Sequence, residues 1–471
     1  MPQPHSHPRS RPLHRSPQPS PPSPSRPPSG ERGARRGRGR LRGTAVTLAL
    51  GATLFAAGAV GLAPAGSGSR DGGPADAVTA AAREGSPEAL RERLRRLPED
   101  APGWASLGMA YVQQARTTAD PATYAKAESA LRTSLKVQPE DNYAAQTGLG
   151  ALAAARHDFA GALDRGRAAV IVNPSGSAAY GVLADAHTQL GRYEAAFRDV
   201  QRMTDLRPDT SSLARASYTW ELRGDVARAK ALMKRALDDA STPGDRAFTR
   251  AHLASLAQES GDPRTALREA EEGLRTAPRD PQLLEARARA HSALGDSGRA
   301  VADYTAAVAV TPLPQYLLGL GELQQSLGRT DLAEEQYEVL RAQDRLRTAA
   351  KAVPDVDAIL FEADHGDPRR AVRMGRAAVE HRPFLAVQDA YGWALHRAGQ
   401  DARALPYADS ALALGTRSAL FHHHRAMIER ALGDPAAARR DLETALSVDP
   451  HFHPLHAPAA RTALQRIGAA S

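Results

Sequence analysis

Eight glycines, separated by 33 to 38 residues, mark a repeat that covers most of this sequence. Each is followed five residues later by an alanine, and a proline stands seventeen residues after five of them. Such spacing is typical of one supersecondary unit that recurs along a chain. We therefore expect a solenoid, whose function resides in a surface rather than in a pocket. The glycines are Gly191, Gly224, Gly261, Gly295, Gly328, Gly366, Gly399 and Gly433.

The segments between these glycines have the apolar period of helices. A glycine just past a helix end supplies the positive φ that a tight turn requires. The alanine lets two helices cross closely, and the proline ends the second helix because it cannot continue the hydrogen-bond ladder. An earlier unit keeps its alanine, Ala162, and its proline, Pro174, but has His157 in place of the glycine.

This pattern resembles the tetratricopeptide repeat. In the segment APGWASLGMAYVQQA, four residues match the first-helix signature of that family: Trp104, Leu107, Gly108 and Tyr111. The resemblance implies an all-α, right-handed superhelical solenoid of about ten antiparallel helix pairs over residues 86–458, with a capping helix at residues 459–471. One unit, PEDAPGWASLGMAYV, is also similar to the repeats of bacterial cytochrome c assembly factors.

Charge is distributed unevenly along the chain. The net charge is +8, but residues 1–70 hold eleven arginines and one acid, so the remaining 401 residues carry a net charge of −2. A nucleic-acid-binding solenoid needs a basic stripe, which this balance disfavours. The chain has no cysteine, which excludes disulfides and thiol chemistry. Its five lysines against fifty-six arginines are typical of a GC-rich bacterial genome.

The region before the repeats has three parts. Residues 1–43 are rich in Pro, Ser and Arg and are expected to be disordered. Residues 44–63 carry no charge and as a helix would reach about 30 Å, enough to cross a bilayer. Residues 64–85 are expected to form a flexible linker.

The arginines before residue 44 predict a single-pass cell-membrane protein with an extracytoplasmic solenoid. Two alternatives remain open: a cleaved signal peptide, which would release a secreted protein, and a buried helix of a cytoplasmic protein.

The resemblance also implies a partner-binding surface, because the first helices of tetratricopeptide units line a concave groove that binds extended peptides or partner helices. Alignment on the turn glycines predicts an acidic groove lining, suited to a basic or amphipathic segment of another protein, with two aromatic anchors. The alternative is that the carboxylates are ordinary solvated residues and that the tryptophan belongs to the core. The predicted lining consists of Asp185, Tyr218, Glu221, Glu259, Glu285, Glu322, Asp364 and Trp393.

Two histidine clusters near the end of the chain suggest a second hypothesis. The two helices of the last repeat are antiparallel, so both clusters are expected at the same edge, where imidazoles could bind Zn, Ni or Co. The alternative is a set of polar helix ends with no metal, since no recognised zinc spacing is present. The clusters are His422, His423 and His424, and His451, His453 and His456.

Catalytic motifs are missing from the sequence. We find no HExxH, no GxSxG and no Walker loop, and every long periodic segment belongs to the repeat. The sequence therefore predicts a non-enzymatic protein without a cofactor, which acts as a membrane-anchored scaffold for another protein. The alternative function is a Ni, Co or Zn accessory protein that uses the histidines.

Overall fold

The computed structural model describes residues 85–118 and 121–470, and within these residues it contains helices and no strands. The predicted leader (1–43), the apolar segment (44–63) and the linker up to residue 84 lie outside the described residues. A single helix, α1 (Pro87–Arg96), precedes ten helix pairs, and α22 (His456–Ala470) follows them. Among the described helices, none is long and apolar enough to cross a membrane.

The pairs confirm the predicted all-α solenoid of about ten units, each made of a first and a second helix that pack against each other. The pairs are α2 (Ala101–Thr118) with α3 (Pro121–Val137), α4 (Tyr143–Ala155) with α5 (Phe159–Val172), α6 (Ser177–Gln189) with α7 (Tyr193–Leu206), α8 (Thr210–Leu222) with α9 (Val226–Asp239), α10 (Pro243–Gln258) with α11 (Pro263–Thr276), α12 (Pro281–Ala293) with α13 (Ser297–Val310), α14 (Pro314–Ser326) with α15 (Thr330–Ala349), α16 (Val356–His365) with α17 (Pro368–His381), α18 (Leu385–Arg397) with α19 (Asp401–Leu412), and α20 (Ala419–Ala431) with α21 (Pro435–Val448). The final helix begins three residues before its predicted start at residue 459.

The glycine and alanine positions have the packing roles that their spacing predicted. The alanines five residues after the turn glycines are at most 1% exposed, so each lies where the two helices of a pair cross. Seven of the eight marked glycines have positive φ, between 66° and 84°, and His157 takes the same conformation with φ 62°.

Gly366 is the exception among the turn glycines, because its φ is −135°. It is required for a different reason. A Cβ at this position would lie 2.7 Å from the Cδ atom of Glu362, whose carboxylate accepts the backbone N–H of Asp367. The turn glycine therefore makes room for a side-chain cap in this repeat.

An aspartate that follows the turn begins many of the second helices. In α9, the carboxylate of Asp225 accepts the backbone N–H of Arg228 at 3.0 Å, and Asp262 does the same for Thr265 in α11. Aspartate is a favoured N-cap because it satisfies an N–H group that has no partner within the helix. The dipeptide Gly-Asp thus ends one helix and starts the next.

Contacts also join parts of the array that are almost two hundred residues apart. The Tyr193 hydroxyl accepts the backbone N–H of Leu385 at 2.8 Å, and the Thr416 hydroxyl donates to the carbonyl of Leu222 at 2.6 Å. The Gln258 amide lies 3.5 Å from the carboxylate of Asp449. In each case a turn between the helices of one pair meets a loop that follows the second helix of the pair five repeats later. We call these the inter-turn contacts.

Candidate functional site

The predicted groove residues lie along the face formed by the first helices of the pairs, which we call the inner face. The structure divides them into groups with different surroundings. One aspartate is neutralised by an arginine, three carboxylates form an acidic cluster, and the remaining acids are covered by the end of the chain.

Asp185 does not offer a free charge to a partner. Its carboxylate accepts two hydrogen bonds from the guanidinium of Arg215, at 2.9 and 2.7 Å. Arg215 belongs to the first helix of the next pair and is 8% exposed. A bidentate, largely buried pair of this kind binds two neighbouring repeats together. The role of Asp185 in this structure is therefore to hold repeats in place.

Three carboxylates lie close to one another further along the inner face: Glu221, Glu259 and Glu285. We call them the inner acidic patch. Burial and the charge of Glu259 raise the pKa of Glu221 well above its usual range. Burial and the same neighbouring charge also raise the pKa of Glu285, although Arg289 opposes the shift. Mutual repulsion in a partly dry space thus makes it costly to ionise all three groups.

Glu259 is the most accessible member of the inner acidic patch, since 48% of its side chain is exposed. Burial raises the pKa of Glu259, and the charge of Arg289, 3.9 Å away, opposes that shift. Nearly half of its side chain meets water, so this carboxylate is the member of the patch that a partner can reach. Tyr218 is half-buried beside this cluster, and burial raises the pKa of its hydroxyl.

The second part of the inner face is covered by residues 449–456, which connect α21 to α22. We call this segment the C-terminal strap. Its His453 lies with Nε2 2.9 Å from Oε2 of Glu322, whose other oxygen is 3.0 Å from Nε2 of His365. Nδ1 of His453 accepts the backbone N–H groups of Leu455 and His456, so the proton on Nε2 is the one donated to Glu322. Burial alone would raise the pKa of Glu322, but the two imidazoles outweigh it and lower the pKa.

Asp364 has an equally complete set of partners. It accepts the indole N–H of Trp393 at 3.0 Å and lies 3.4 Å from both Arg397 and His456. Burial would raise the pKa of Asp364, but the hydrogen bond from His456 and the nearby cations lower it. The carboxylate is therefore ionised and saturated with donors.

Trp393, predicted as an aromatic anchor, is 2% exposed and belongs to the hydrophobic core. Its ring stacks on His424, with centroids 4.1 Å apart, and meets His456 edge-on at 5.5 Å. In this conformation the indole presents no surface to a partner. Its position is that of a core residue, which was the alternative to a partner-binding anchor in the sequence analysis.

A cavity of about 240 Å³ lies between the inner face and the C-terminal strap. Its walls are polar and apolar in similar measure, and they join one end of the inner acidic patch to the covered region. Its lining includes Glu285, Arg289, Tyr304, Glu322, Asp357, Asp364, His424, His451, His453 and His456.

The six histidines are only partly brought together. Rings of four of them, His423, His424, His453 and His456, have neighbouring centroids 4.3 to 5.9 Å apart. His422 instead lies 2.8 Å from Asp441, and His451 is exposed. Across the described part of the chain, no group of three or more His, Cys, Asp or Glu side chains is arranged to hold a metal ion. Four of the imidazoles instead lie against carboxylates of this chain: His422, His424, His453 and His456.

Sequence reasoning missed Arg289, the cation beside the inner acidic patch. It stands six residues before its turn glycine, at the same offset as Asp185, Tyr218 and Trp393, so the repeat register does contain the signal. It also missed His365, and the offset from the glycine gives no signal for its contact with Glu322.

The paired helices, the small residues at their crossings and a polar inner face define a helical-repeat protein of the kind that binds partners along a surface. One model of the tetratricopeptide repeat matches residues 147–209 and 285–346, and a second model matches residues 419–452. These three segments therefore match tetratricopeptide repeats, as the sequence pattern predicted. A comparison with curated proteins finds no match.

Three solved structures illustrate what the chain is similar to. The human IFIT1 dimer with PPP-AAAA is 14% identical, with 76% of this chain and 85% of that chain covered and a TM-score of 0.43. PilW, a widely conserved type IV pilus biogenesis factor, is 18% identical, with coverage of 42% and 92% and a TM-score of 0.37. A thermophilic TPR protein in Thermus thermophilus is 25% identical, with coverage of 41% and 98% and a TM-score of 0.35.

Proposed function

We propose that this protein is a non-enzymatic scaffold that binds a basic or amphipathic segment of another protein at the inner acidic patch. Tetratricopeptide arrays are in general protein-interaction scaffolds rather than enzymes. The observation that carries the proposal is the cluster of Glu221, Glu259 and Glu285, in which Arg289 opposes the charges of Glu259 and Glu285. A lysine or arginine from a partner would stabilise the ionised carboxylates and relieve their repulsion.

The differences among the predicted groove residues support this location. Asp185, Glu322 and Asp364 are already paired with cations or imidazoles of the chain itself. Glu259, in contrast, is 48% exposed and faces an arginine at the long distance of 3.9 Å. A basic partner gains the most binding free energy at the carboxylate whose charge is least balanced by cations of the chain. Glu259 is therefore the proposed contact residue.

Photo-crosslinking tests this location. A photoreactive amino acid is introduced at Glu259 in the full chain, and in a control at Glu271, an exposed glutamate of the second helix α11. We expect partner peptides rich in lysine and arginine to be recovered from the Glu259 position and not from the Glu271 position. Equal recovery from both positions, or acidic peptides from Glu259, would reject the proposal.

A charge-neutral pair of variants measures the contribution of the carboxylate. Glu259→Gln is expected to reduce co-purification of that partner several-fold, since a desolvated charge pair is lost, whereas Glu271→Gln is expected to leave it unchanged. A comparable loss in both variants would point to a general effect of net charge.

Membrane attachment is the other part of the proposal. It is supported by the uncharged residues 44–63 and by the arginines that precede them. The test is to fractionate cells that express a C-terminally tagged chain, wash the membranes with carbonate, and treat intact cells with protease. We expect the protein to remain in the membrane fraction and the tag to be digested; a soluble, protected tag would contradict an anchored extracytoplasmic solenoid.

A further inference from the structure

Helix α15 differs from the other second helices in length and in its surface. It has 20 residues, whereas the second helices of the other repeats have 12 to 17. Three large apolar side chains on it are exposed at intervals of seven residues: Leu332 at 42%, Val339 at 40% and Leu346 at 38%. Residues seven apart in a helix lie almost above one another. They therefore form one apolar stripe, about 21 Å long at 1.5 Å per residue.

The stripe lies beside the buried face of α15 and is not part of it. The residues that α15 buries within the array are Ala333, Tyr337, Leu340, Gln343 and Arg347. At 100° per residue, Leu332, Val339 and Leu346 lie roughly a quarter turn away from the centre of that set. Three residues further along from each member stand Glu335, Ala342 and Ala349, which completes the a and d positions of a heptad repeat.

Charge on α15 is polarised along its axis. The acids Asp331, Glu334, Glu335 and Glu338 stand in its first half. The basic residues Arg341 and Arg345 stand on the surface of its second half, where Arg341 also contacts Glu334 and Glu338 of the same helix. The one acid in the second half, Asp344, is paired with Arg370 of α17. Two such helices laid antiparallel would match the acidic half of each with the basic half of the other.

We propose that α15 pairs with α15 of a second copy of this chain as an antiparallel, two-fold symmetric helix pair. In the register that alternates large and small residues, Leu332 packs against Ala349 of the other copy and Val339 against its Ala342. Glu338 then flanks Arg345 of the other copy, and the symmetry repeats each contact. A parallel pairing would instead set the two acidic halves side by side. The pairing leaves the inner face free and does not depend on the partner proposed above.

Disulfide crosslinking of the full chain tests the direction of the pairing, because the chain has no cysteine of its own. The double variant Leu332→Cys with Ala349→Cys is expected to give a crosslinked dimer under mild oxidation on a non-reducing gel. The two positions are about 25 Å apart within one straight helix, so they cannot crosslink within a chain. Leu332→Cys alone is expected to give at least about tenfold less dimer, because the antiparallel arrangement keeps the two copies of residue 332 far apart.

Ile171→Cys controls for random collision, since Ile171 is 81% exposed and lies on a different helix, α5. A dimer yield from the double variant no higher than that from Ile171→Cys would overturn the proposal. Efficient crosslinking by Leu332→Cys alone would also overturn it, because only a parallel or irregular contact brings those residues together.

Charge reversal provides an independent readout by co-purification of two differently tagged full-length copies. Glu338→Arg and Arg345→Glu, each alone, are expected to lower recovery of the second copy about tenfold, because like charges then meet. The variant that combines both changes is expected to restore co-purification of the second copy to the wild-type level. Circular dichroism of each variant confirms folding, and equal recovery from all of them would reject the pairing.

Discussion

The hydroxyl oxygen of Tyr193 accepts the backbone N–H of Leu385, at 2.8 Å and across 192 residues of sequence. Leu385 is the first residue of α18, where the N–H groups have no partner within the helix. The tyrosine thus satisfies a helix end that belongs to a repeat far along the chain. Burial raises the pKa of the same hydroxyl to about 12, which keeps it neutral under physiological conditions.

We predict that Tyr193→Phe destabilises the protein by about 1–3 kcal/mol, the cost of leaving a buried N–H without a partner. Urea unfolding followed by circular dichroism measures the change. Tyr180→Phe is the matched control, because its hydroxyl donates to the carbonyl of Pro174 at an exposed site and its loss should cost at most about 0.5 kcal/mol. Equal losses in the two variants would mean that the contact with Leu385 contributes nothing specific.

A pair of glycine variants separates backbone strain from the inter-turn contacts. Gly224 and Gly295 both have positive φ, so alanine at either position costs about 1–2 kcal/mol in strain. At Gly295 an added Cβ meets nothing within 4 Å, whereas at Gly224 it would clash with the carbonyl oxygen of Gly415. We therefore expect Gly224→Ala to be the more destabilising variant in thermal unfolding. Similar melting temperatures for the two variants would show that the turn at Gly224 and the loop at Gly415 separate without a cost in stability.

The C-terminal strap is predicted to depend on the charge of Glu322. Glu322→Gln keeps the shape of the side chain but weakens its hydrogen bonds with His365 and His453, so residues 449–456 should exchange their amide hydrogens faster. Glu334→Gln serves as the control, because Glu334 is 52% exposed and its pairing with Arg341 contributes little to stability. Unchanged exchange in Glu322→Gln would contradict the assigned role of these contacts.

Asp357 is expected to make stability depend on pH. Burial, followed by the nearby charges of Asp355 and Glu285, raises its pKa to about 8. The folded state therefore holds a proton that the unfolded state releases near pH 4, so the contribution of this group is fully present below that pH and is lost as pH rises to 8. Asp357→Asn removes this contribution, and its melting temperature should fall less between pH 5 and pH 8 than that of the wild type. The same slope in both proteins would contradict the assignment.

Local sequence rules accounted for the fold because each of them acts within one repeat. The turn at Gly191, the buried Ala196 and the helix end before Pro208 depend on neighbours that the register identifies. Even the substitution of His157 at a turn position was readable, since the alanine and proline offsets around it were preserved. The conformation of Gly366 could not be predicted in this way, because it depends on the side-chain cap formed by Glu362.

The candidate site was less predictable because charge compensation comes from other repeats. The register placed Asp185 and Glu322 on the inner face, but it carried no information on Arg215 or His453, which neutralise or cover them. Trp393 shows the same limitation. Its burial depends on His424 and on the C-terminal strap, and the offset from a turn glycine says nothing about either.

The inter-turn contacts restrict how such a chain can change in length during evolution. In a simple solenoid each repeat touches only its neighbours, so units can be gained or lost with local consequences. Here Tyr193, Leu222 and Gln258 each meet a particular loop 191 to 194 residues later. Deleting or duplicating one unit between them would offset all of these pairs by a whole repeat at once. These contacts therefore fix the number of units between the turns and loops that they join. Variation in length is expected only outside that part of the array.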